Sequence, residues 1–292
     1  MEYLLPIRQQ VFHASRHFFL KKAGLDLNVP PLKQTNVVKK IFSHSKKIIN
    51  HMKVSSFIRS VGNQLYVCRE AYSKGELESL FRLRYNVYRE TYGDFLVPEN
   101  PYQMDIDAYD SRAIHIGVFE YGAESHQAVG YMRLITEHET SAARKIKEIV
   151  ATRPELTTSF AKTPSEVLPI FRFWQDKNDI EFLRTSYSDF NETSRFCLHP
   201  SLQGQNGTAR FAVSSMVALS LDYLNRDSLV LIIVATHQAG FYQLFGFKKL
   251  TEVTLTVDKA RKPFAIMHIP MKEVANRYAP KSTKPDFETA MA

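Results

Sequence analysis

Glu192 is the residue whose type and setting most suggest acid–base chemistry. It lies in a stretch of mixed polar and apolar residues (ETSRFCLH, 192–199), which predicts a strand that Pro200 ends. A carboxylate in a strand is disfavoured unless it is paired or functional. When partly buried, with a raised pKa, it can act as a general base; the structural alternative is pairing with Arg133 or Arg195. Strand alternation predicts that one face carries Glu192, Ser194, Phe196 and Leu198.

Two further arginines fall where a charge needs a partner. Arg84 interrupts the apolar stripe of a predicted helix over 73–91, and Arg133 shares a predicted strand face with Val129 and Tyr131. A guanidinium keeps its charge, so a buried arginine requires a carboxylate. The segment after the helix offers Asp105, Asp107 and Asp110. We expect either a structural ion pair that fixes this loop, or a charged cluster that shapes a substrate pocket, or both.

Other chemistries are disfavoured. An EF-hand loop beginning at Asp105 would need Gly at its sixth position and Glu at its twelfth, where Asp110 and Ile116 stand, so no metal site is predicted. Cys197 and His199 could suggest a thiol nucleophile, but cysteine is more often a small buried hydrophobe. With 2 cysteines in all, the chain cannot form a disulfide framework.

A glycine loop follows the Glu192 strand. Its sequence, Gln203-Gly-Gln-Asn-Gly-Thr-Ala209, precedes a predicted helix over 210–225. Backbone amides at such a loop and helix start favour a phosphate, although an ordinary strand-to-helix turn has the same composition.

The elements that must position these residues form a mixed pattern. We predict strands over 64–69, 113–120, 128–136, 192–199, 229–236, 251–257 and 264–269, and helices over 73–91, 141–151, 210–225 and 237–245. No helix or strand can be predicted over residues 152–189. Phe171 to Trp174 in this segment could line an apolar tunnel or simply belong to the core. The order predicts an α/β fold with a mixed central sheet flanked by helices.

Charge divides the chain into parts. Residues 1–60 hold eleven Lys/Arg and two acids, a net of +9, and the other 232 residues hold 27 basic and 28 acidic groups, a net of −1. We predict a basic, helical extension over 1–60, with an amphipathic helix at 35–58, a domain over 61–275 and a flexible tail over 276–292. The extension could pack on the domain, or contact an anionic membrane or an acidic protein. No nucleic-acid-reading module is recognisable, and nucleic acid is not expected.

The order of these motifs resembles the GNAT acyltransferase superfamily. The strand, glycine loop, helix, buried strand and final Gly240-Phe-Tyr-Gln-Leu-Phe-Gly-Phe247 resemble its acyl-donor core. The upstream half resembles one branch, the acyl-homoserine-lactone autoinducer synthases and N-acyl amino acid synthases. The motifs there are Arg84-Tyr-Asn-Val-Tyr88, Asp107-x-x-Asp110, Gly130-x-x-Arg133-Leu134 and Glu192-Thr-Ser194-Arg195-Phe196. The resemblance covers roughly 65–270.

The resemblance implies a GNAT-type fold and transfer of a fatty acyl group from an acyl carrier protein thioester to the amine of an amino acid or derivative. It implies catalytic roles for Glu192 as base and Tyr242 as acid, and a charged cluster of Arg84, Asp107, Asp110, Arg133, Ser194 and Arg195. The acyl donor would bind Phe196, Leu198, Gly204, Gly207, Thr208 and Ala209. No permanent cofactor is implied; acyl-ACP or acyl-CoA serves as donor.

Departures from the family pattern rank the alternatives. Asp94-Phe95 stand where autoinducer synthases carry a tryptophan, which favours an N-acyl amino acid synthase over an autoinducer synthase. Gln203 is one place early for the family's coenzyme A loop, which disfavours an acetyl-CoA-dependent N-acetyltransferase. A non-catalytic membrane or carrier-protein binding module is the remaining alternative. A cytoplasmic location, possibly peripheral to a membrane, is expected.

Overall fold

A computed structural model of the protein describes residues 56–61, 64–93, 97–121, 126–156, 166–174, 176–187, 189–202, 206–225, 227–257 and 260–273. The strands are β1 (Phe57–Val61), β2 (Gln64–Glu70), β3 (Ala113–Tyr121), β4 (His126–Ile135), β5 (Asp189–Leu198), β6 (Ser228–Ala235), β7 (Lys248–Val257) and β8 (Ala260–Pro270). The main helices are α1 (Lys74–Tyr92), α2 (Ala143–Ala151), α3 (Lys177–Ser186), α4 (Asn206–Leu221) and α5 (Ala239–Gln243). Across the described residues, no helix combines the length and apolar character needed to cross a membrane.

All eight strands join one sheet in the order β1-β2-β3-β4-β5-β6-β8-β7. Neighbours pair antiparallel, except that β5 and β6 are parallel. Their register runs from Asp189↔Ser228 to Glu192↔Leu231 and stops there, although β5 continues to Leu198 and β6 to Ala235. The two strands therefore part directly after Glu192.

Helix α1 follows from its sequence. Ser73 caps it, with its side chain accepting the Glu76 N–H, and Glu76 completes the capping box. Leu77, Leu80 and Phe81 are fully buried and pack, together with apolar residues of α2, against one face of the sheet. The opposite face is covered by α4, whose buried side chains include Phe211, Met216 and Leu219. The predicted mixed sheet flanked by helices is confirmed.

The elements missed or misplaced by sequence patterns are short or irregular. Strand β1 was not predicted; it pairs with β2 from Phe57↔Cys68, so the end of the helix expected at 35–58 is extended chain instead. Helix α3 lies in the stretch that gave no readable pattern. Helix α4 begins at Asn206 and ends at Leu221, not over 210–225, and the helix expected over 237–245 is a 3-10 turn followed by α5. The extension up to residue 55 and the tail over 276–292 lie outside the described residues.

Two bulges change the predicted strand faces. Opposite Val118 and Phe119 the β3–β4 register shifts, so Val129 packs on the α4 side while Tyr131 packs on the α1 side. In β5 the register with β4 moves from Arg133↔Ser194 to Tyr131↔Cys197, and Arg195 has φ 54°. The expectation that Glu192, Ser194, Phe196 and Leu198 share one face is therefore wrong beyond Ser194.

Candidate active site

A cleft of about 910 Å³ opens where β5 and β6 part. One wall is formed by the β5 residues from Glu192 to Leu198, and the other by the β6 residues from Ile232 to Ala235. Helix α1 contributes Tyr88 and Tyr92, and α5 contributes Phe241 and Tyr242. Most of the predicted catalytic and cluster residues thus line one cavity or lie directly behind its wall.

Arg84 anchors the charged cluster behind this wall. Its side chain is fully buried, and its Nη1 and Nη2 donate to Asp110 Oδ1 and Oδ2, each at 2.9 Å. Its Nε lies 2.8 Å from Asp105 Oδ2, and Nη2 also donates to the Asp105 carbonyl oxygen. The guanidinium fork binds both oxygens of Asp110, and Asp105 adds a second carboxylate at ion-pair distance, as the position of Arg84 in the apolar stripe required.

Arg133 carries the network from Asp110 to the cleft. Its Nη1 donates to Asp107 Oδ1 at 2.8 Å and to Asp110 Oδ1 at 2.9 Å, and its Nε donates to Ser194 Oγ at 3.1 Å. Arg195 completes the cluster, with Nε 3.4 Å from Asp105 Oδ2 and its guanidinium carbon 5.2 Å from the Tyr88 ring centroid. Three arginines thus face three aspartates.

The buried acidic and basic groups of the cluster remain ionised despite the penalty of burial. Burial opposes ionisation of Asp110, but the guanidinium groups of Arg84 and Arg133 outweigh it and hold its pKa well below the usual range. Asp105 and Asp110, in turn, keep the pKa of Arg84 above its ordinary value despite complete burial. Because charge of one sign compensates the other, the cluster is stable only as a set.

An uncharged histidine, His115, forms hydrogen bonds to the backbone of Asp110 and to Tyr131 beside the cluster. His115 Nε2 donates to the Asp110 carbonyl at 3.0 Å, so its Nδ1 accepts from the Tyr131 hydroxyl at 2.9 Å. The same hydroxyl accepts from Arg84 Nη1 at 3.2 Å. Burial lowers the pKa of His115 to about 4, which keeps the ring uncharged next to the arginines. This support was not anticipated from the sequence, because strand spacing does not reveal which histidine reaches the cluster.

Glu192 lies at the point where the cleft opens. It is 1 % exposed, and its Oε2 accepts the Ile170 N–H at 2.7 Å. Burial raises its pKa to about 7, and Asp107 adds to this; the Ile170 N–H, Arg133 and Arg195 act in the opposite direction. A carboxyl group with this pKa exchanges its proton near neutral pH. Neither Arg133 nor Arg195 forms a direct ion pair with it among the described residues, so the simple structural pairing is not observed.

Tyr242 lies on the opposite wall. Its ring packs edge-on against Phe241 and Phe247, and burial raises its pKa to about 12, so it carries its proton at neutral pH. Phe196 and Leu198 line the cleft beyond the bulge and pack against the core on the α4 side. Phe196 lies outside the β4 register, and its carbonyl accepts from the Tyr88 hydroxyl at 3.1 Å.

The predicted donor loop is only partly described. Gly204 lies outside the described residues, while Gly207, Thr208 and Ala209 form the first turn of α4, with Thr208 buried. Arg59 of β1 was missed from the sequence; its Nη1 donates to the Gly207 carbonyl at 2.9 Å. A Cβ on Gly207 would lie 2.8 Å from Arg59 Nη2, so the glycine permits this close approach.

A second missed contributor is the 3-10 helix Pro169–Arg172. It supplies the N–H that binds Glu192, and Arg172 and Phe173 line the cleft. Phe171 and Trp174, which could have lined a tunnel, are buried in a core cluster with Phe190 and Leu231. The mixed composition of residues 152–189 gives no periodic pattern from which this 3-10 helix could be predicted. The one available signal is the charged residue between two aromatic ones in Phe171-Arg172-Phe173.

One segment of the chain matches a known protein family. Residues 83–178 match the family described as acetyltransferase (GNAT) domain. No curated protein sequence matches the chain. Among solved structures, FeeM, an N-acyl amino acid synthase from uncultured soil microbes, is similar at 15 % identity over 75 % of this chain and 94 % of its own, with a TM-score of 0.40.

Two further structures are similar. TofI, solved in a ternary complex with an inhibitor and MTA, has 15 % identity over 76 % of this chain and 97 % of its own, with a TM-score of 0.42. BjaI, a CoA-dependent acyl-homoserine lactone synthase solved with SAM and isopentyl-CoA, has 19 % identity over 72 % of this chain and 84 % of its own, with a TM-score of 0.38. The family match confirms the GNAT resemblance for residues 83–178, which hold the motifs at Arg84, Asp107 and Arg133; the motif at Glu192 and the motifs that follow it lie outside the matched range.

Proposed function

We propose that this protein transfers a fatty acyl group from an acyl carrier protein thioester to the amine of an amino acid or derivative, forming an N-acyl amino acid. The observation that carries the proposal is Glu192. It is a buried carboxyl group at the point where β5 and β6 part, held by the Ile170 N–H, and no arginine in the described part of the chain forms a direct ion pair with it. A base free to exchange its proton is what an ammonium acceptor needs before it can attack.

The proposed reaction uses groups that line this cleft. Glu192, through a water molecule, takes a proton from the acceptor ammonium, and the freed amine attacks the thioester carbonyl carbon. Backbone amides near Phe196 polarise the carbonyl oxygen. The carbon–sulfur bond breaks, Tyr242 gives its proton to the leaving thiolate, and the attacking nitrogen loses its second proton to water, which leaves a neutral amide. Tyr242 then regains a proton from solvent, and Glu192 releases its own.

The charged cluster orders this cleft without taking part in proton transfer. Arg84 and Asp110 are completely buried, whereas Asp107 and Arg195 reach the cleft wall. The 97–110 segment is fixed to α1 by Arg84, which binds both Asp105 and Asp110. This arrangement keeps the loop in place beside β5 while donor and acceptor exchange.

The test is mass spectrometry after mixing the protein with a palmitoyl-loaded carrier protein and a pool of the common amino acids. We expect a new N-palmitoyl amino acid that is lost in Glu192→Gln and retained in Glu181→Gln, an exposed glutamate of α3. Product only with S-adenosylmethionine as acceptor would indicate an autoinducer synthase. Product only with acetyl-CoA as donor would indicate a small-acyl enzyme, and no product with any donor would favour a binding module.

A further inference from the structure

Arg172 is a cation on the wall of the cleft. It ends the 3-10 helix Pro169–Arg172, its side chain is exposed, and no ion pair to it is formed by the described residues. Its guanidinium carbon lies 5.5 Å from the Tyr109 ring centroid, so the aromatic face supports it and its hydrogen-bond donors remain available.

The other charges of the cleft are already matched. Asp107, Arg133 and Arg195 line it, but each belongs to the cluster in which three arginines face three aspartates. Among the described carboxylates and guanidinium groups of the lining, Glu192 and Arg172 are the two outside that balance; His237 also lines the cleft. The cleft therefore offers one carboxyl group that exchanges its proton and one permanent positive charge.

These two groups are held by the same short segment. The Ile170 N–H binds Glu192 Oε2 at 2.7 Å, and Arg172 follows two residues later. Glu192 and Arg172 also both act on the hydroxyl of Tyr109. Burial is the main cause that raises the pKa of this hydroxyl; Arg172 lowers that pKa, whereas Asp107 and Glu192 raise it. A base and a cation thus line the same part of the cleft, around Tyr109 and the 3-10 helix.

This pair matches the two ends of a free amino acid, whose ammonium and carboxylate are separated by one carbon. On the basis of the proposed acyl transfer, we propose that Arg172 binds the α-carboxylate of the acceptor while Glu192 faces its amine. The acceptor is then an amino acid with a free carboxylate, and its amide or ester is a poor substrate. A guanidinium fork is well suited to a carboxylate, which it binds through two hydrogen bonds.

A phosphate of the donor is a less suitable ligand for Arg172. The amides that would bind a phosphate are at the start of α4, beyond the far end of β5. Glu192 and His199 are seven residues apart, about 20 Å along an extended strand. Arg59, not Arg172, lies at the start of α4.

The test compares acceptors and variants with palmitoyl-carrier protein as donor. A pool of the common amino acids and a separate pool of their carboxamides are offered to the wild type, and KM is then measured for the amino acid used best. We expect the carboxamides to react at least tenfold less well. Arg172→Gln should raise the KM for the amino acid by about 10- to 100-fold, with a smaller change in kcat and an unchanged KM for the donor.

Three comparisons keep the inference falsifiable. Arg172→Lys keeps the charge and should recover part of the affinity, and Arg184→Gln, which removes an exposed α3 arginine placed over Phe171, should leave all constants unchanged. Equal use of amino acids and carboxamides, or a raised KM for the donor in Arg172→Gln, would overturn this assignment and leave the acyl transfer intact. No acylation of either pool by the wild type would overturn both proposals.

Discussion

Glu192 combines two properties that a buried side chain seldom has together. Its surroundings are apolar enough to raise its pKa to about 7, yet it accepts a hydrogen bond from the Ile170 N–H, which stabilises the charged form. The first effect makes the group a base that works near neutral pH, and the second keeps it oriented in both protonation states. The consequence is a trade-off between activity and stability.

We predict that activity and stability change in opposite directions with pH. In the unfolded chain Glu192 titrates as an ordinary carboxyl group, with the pKa near 4.5, whereas folding raises that pKa to about 7. The folded protein binds this proton more tightly than the unfolded chain does, so the bound proton contributes to stability. That contribution is fully present below the pKa of the unfolded chain and is lost as pH rises through the pKa of the folded protein. The ionised base needed for catalysis is formed over the same range.

The measurements are kcat/KM and the free energy of unfolding at about pH 5 and about pH 8, in the wild type and Glu192→Gln. We expect wild-type kcat/KM to rise with pH and level off above about 7. The free energy of unfolding, relative to Glu192→Gln, should fall by up to about 3 kcal/mol over the same interval. A stability difference that stays constant between these two pH values would show that Glu192 is not held with a raised pKa.

At the scale of elements, the charged cluster joins α1, the 97–110 loop, β4 and β5. Arg84 comes from α1, Asp105 and Asp110 from the loop side, Arg133 from β4 and Arg195 from β5. Each contact is between elements that are distant in the sequence. The cluster therefore contributes to the tertiary arrangement as well as to the shape of the cleft.

We predict that Asp110→Asn destabilises the fold far more than a surface change does. Two buried guanidinium groups, those of Arg84 and Arg133, lose their shared carboxylate. Removing one partner of a buried ion pair typically costs about 3–5 kcal/mol. Chemical denaturation should show a loss of this size, compared with less than about 0.5 kcal/mol for Asp227→Asn, which is exposed. A small effect at Asp110 would mean that the buried charges find other partners.

Sequence patterns predicted the parts of this arrangement that regular geometry controls. Arg84 could be placed beside the core because helical spacing puts it in one stripe with Leu80 and Tyr88, and the carboxylates it needs were found in the following loop. The face of β5 beyond Ser194 could not be predicted, because the bulge at Arg195 depends on pairing with β4. Arg172 was missed because a four-residue 3-10 helix has no periodic signature.

At the scale of the whole molecule, charge is separated along the chain. The net charge of +8 comes entirely from residues 1–60, which carry +9, while the remainder carries −1. Residues 61–292 therefore supply no net positive charge for an acidic partner. An acidic carrier protein would instead be attracted by the basic segment, through a field that acts over about 10 Å at ordinary ionic strength.

We therefore predict that replacing Lys39, Lys40, Lys46, Lys47 and Lys53 by Gln in the full chain raises the KM for the palmitoyl-carrier donor. The difference in KM between the variant and the wild type should shrink as salt is added, because screening weakens the attraction that the wild-type lysines provide. A neutral palmitoyl thioester of N-acetylcysteamine is the matched control, and its KM should not change. If the donor KM is unaffected while binding to anionic vesicles is lost, the basic segment contacts lipid and not the carrier, and the steering role is wrong.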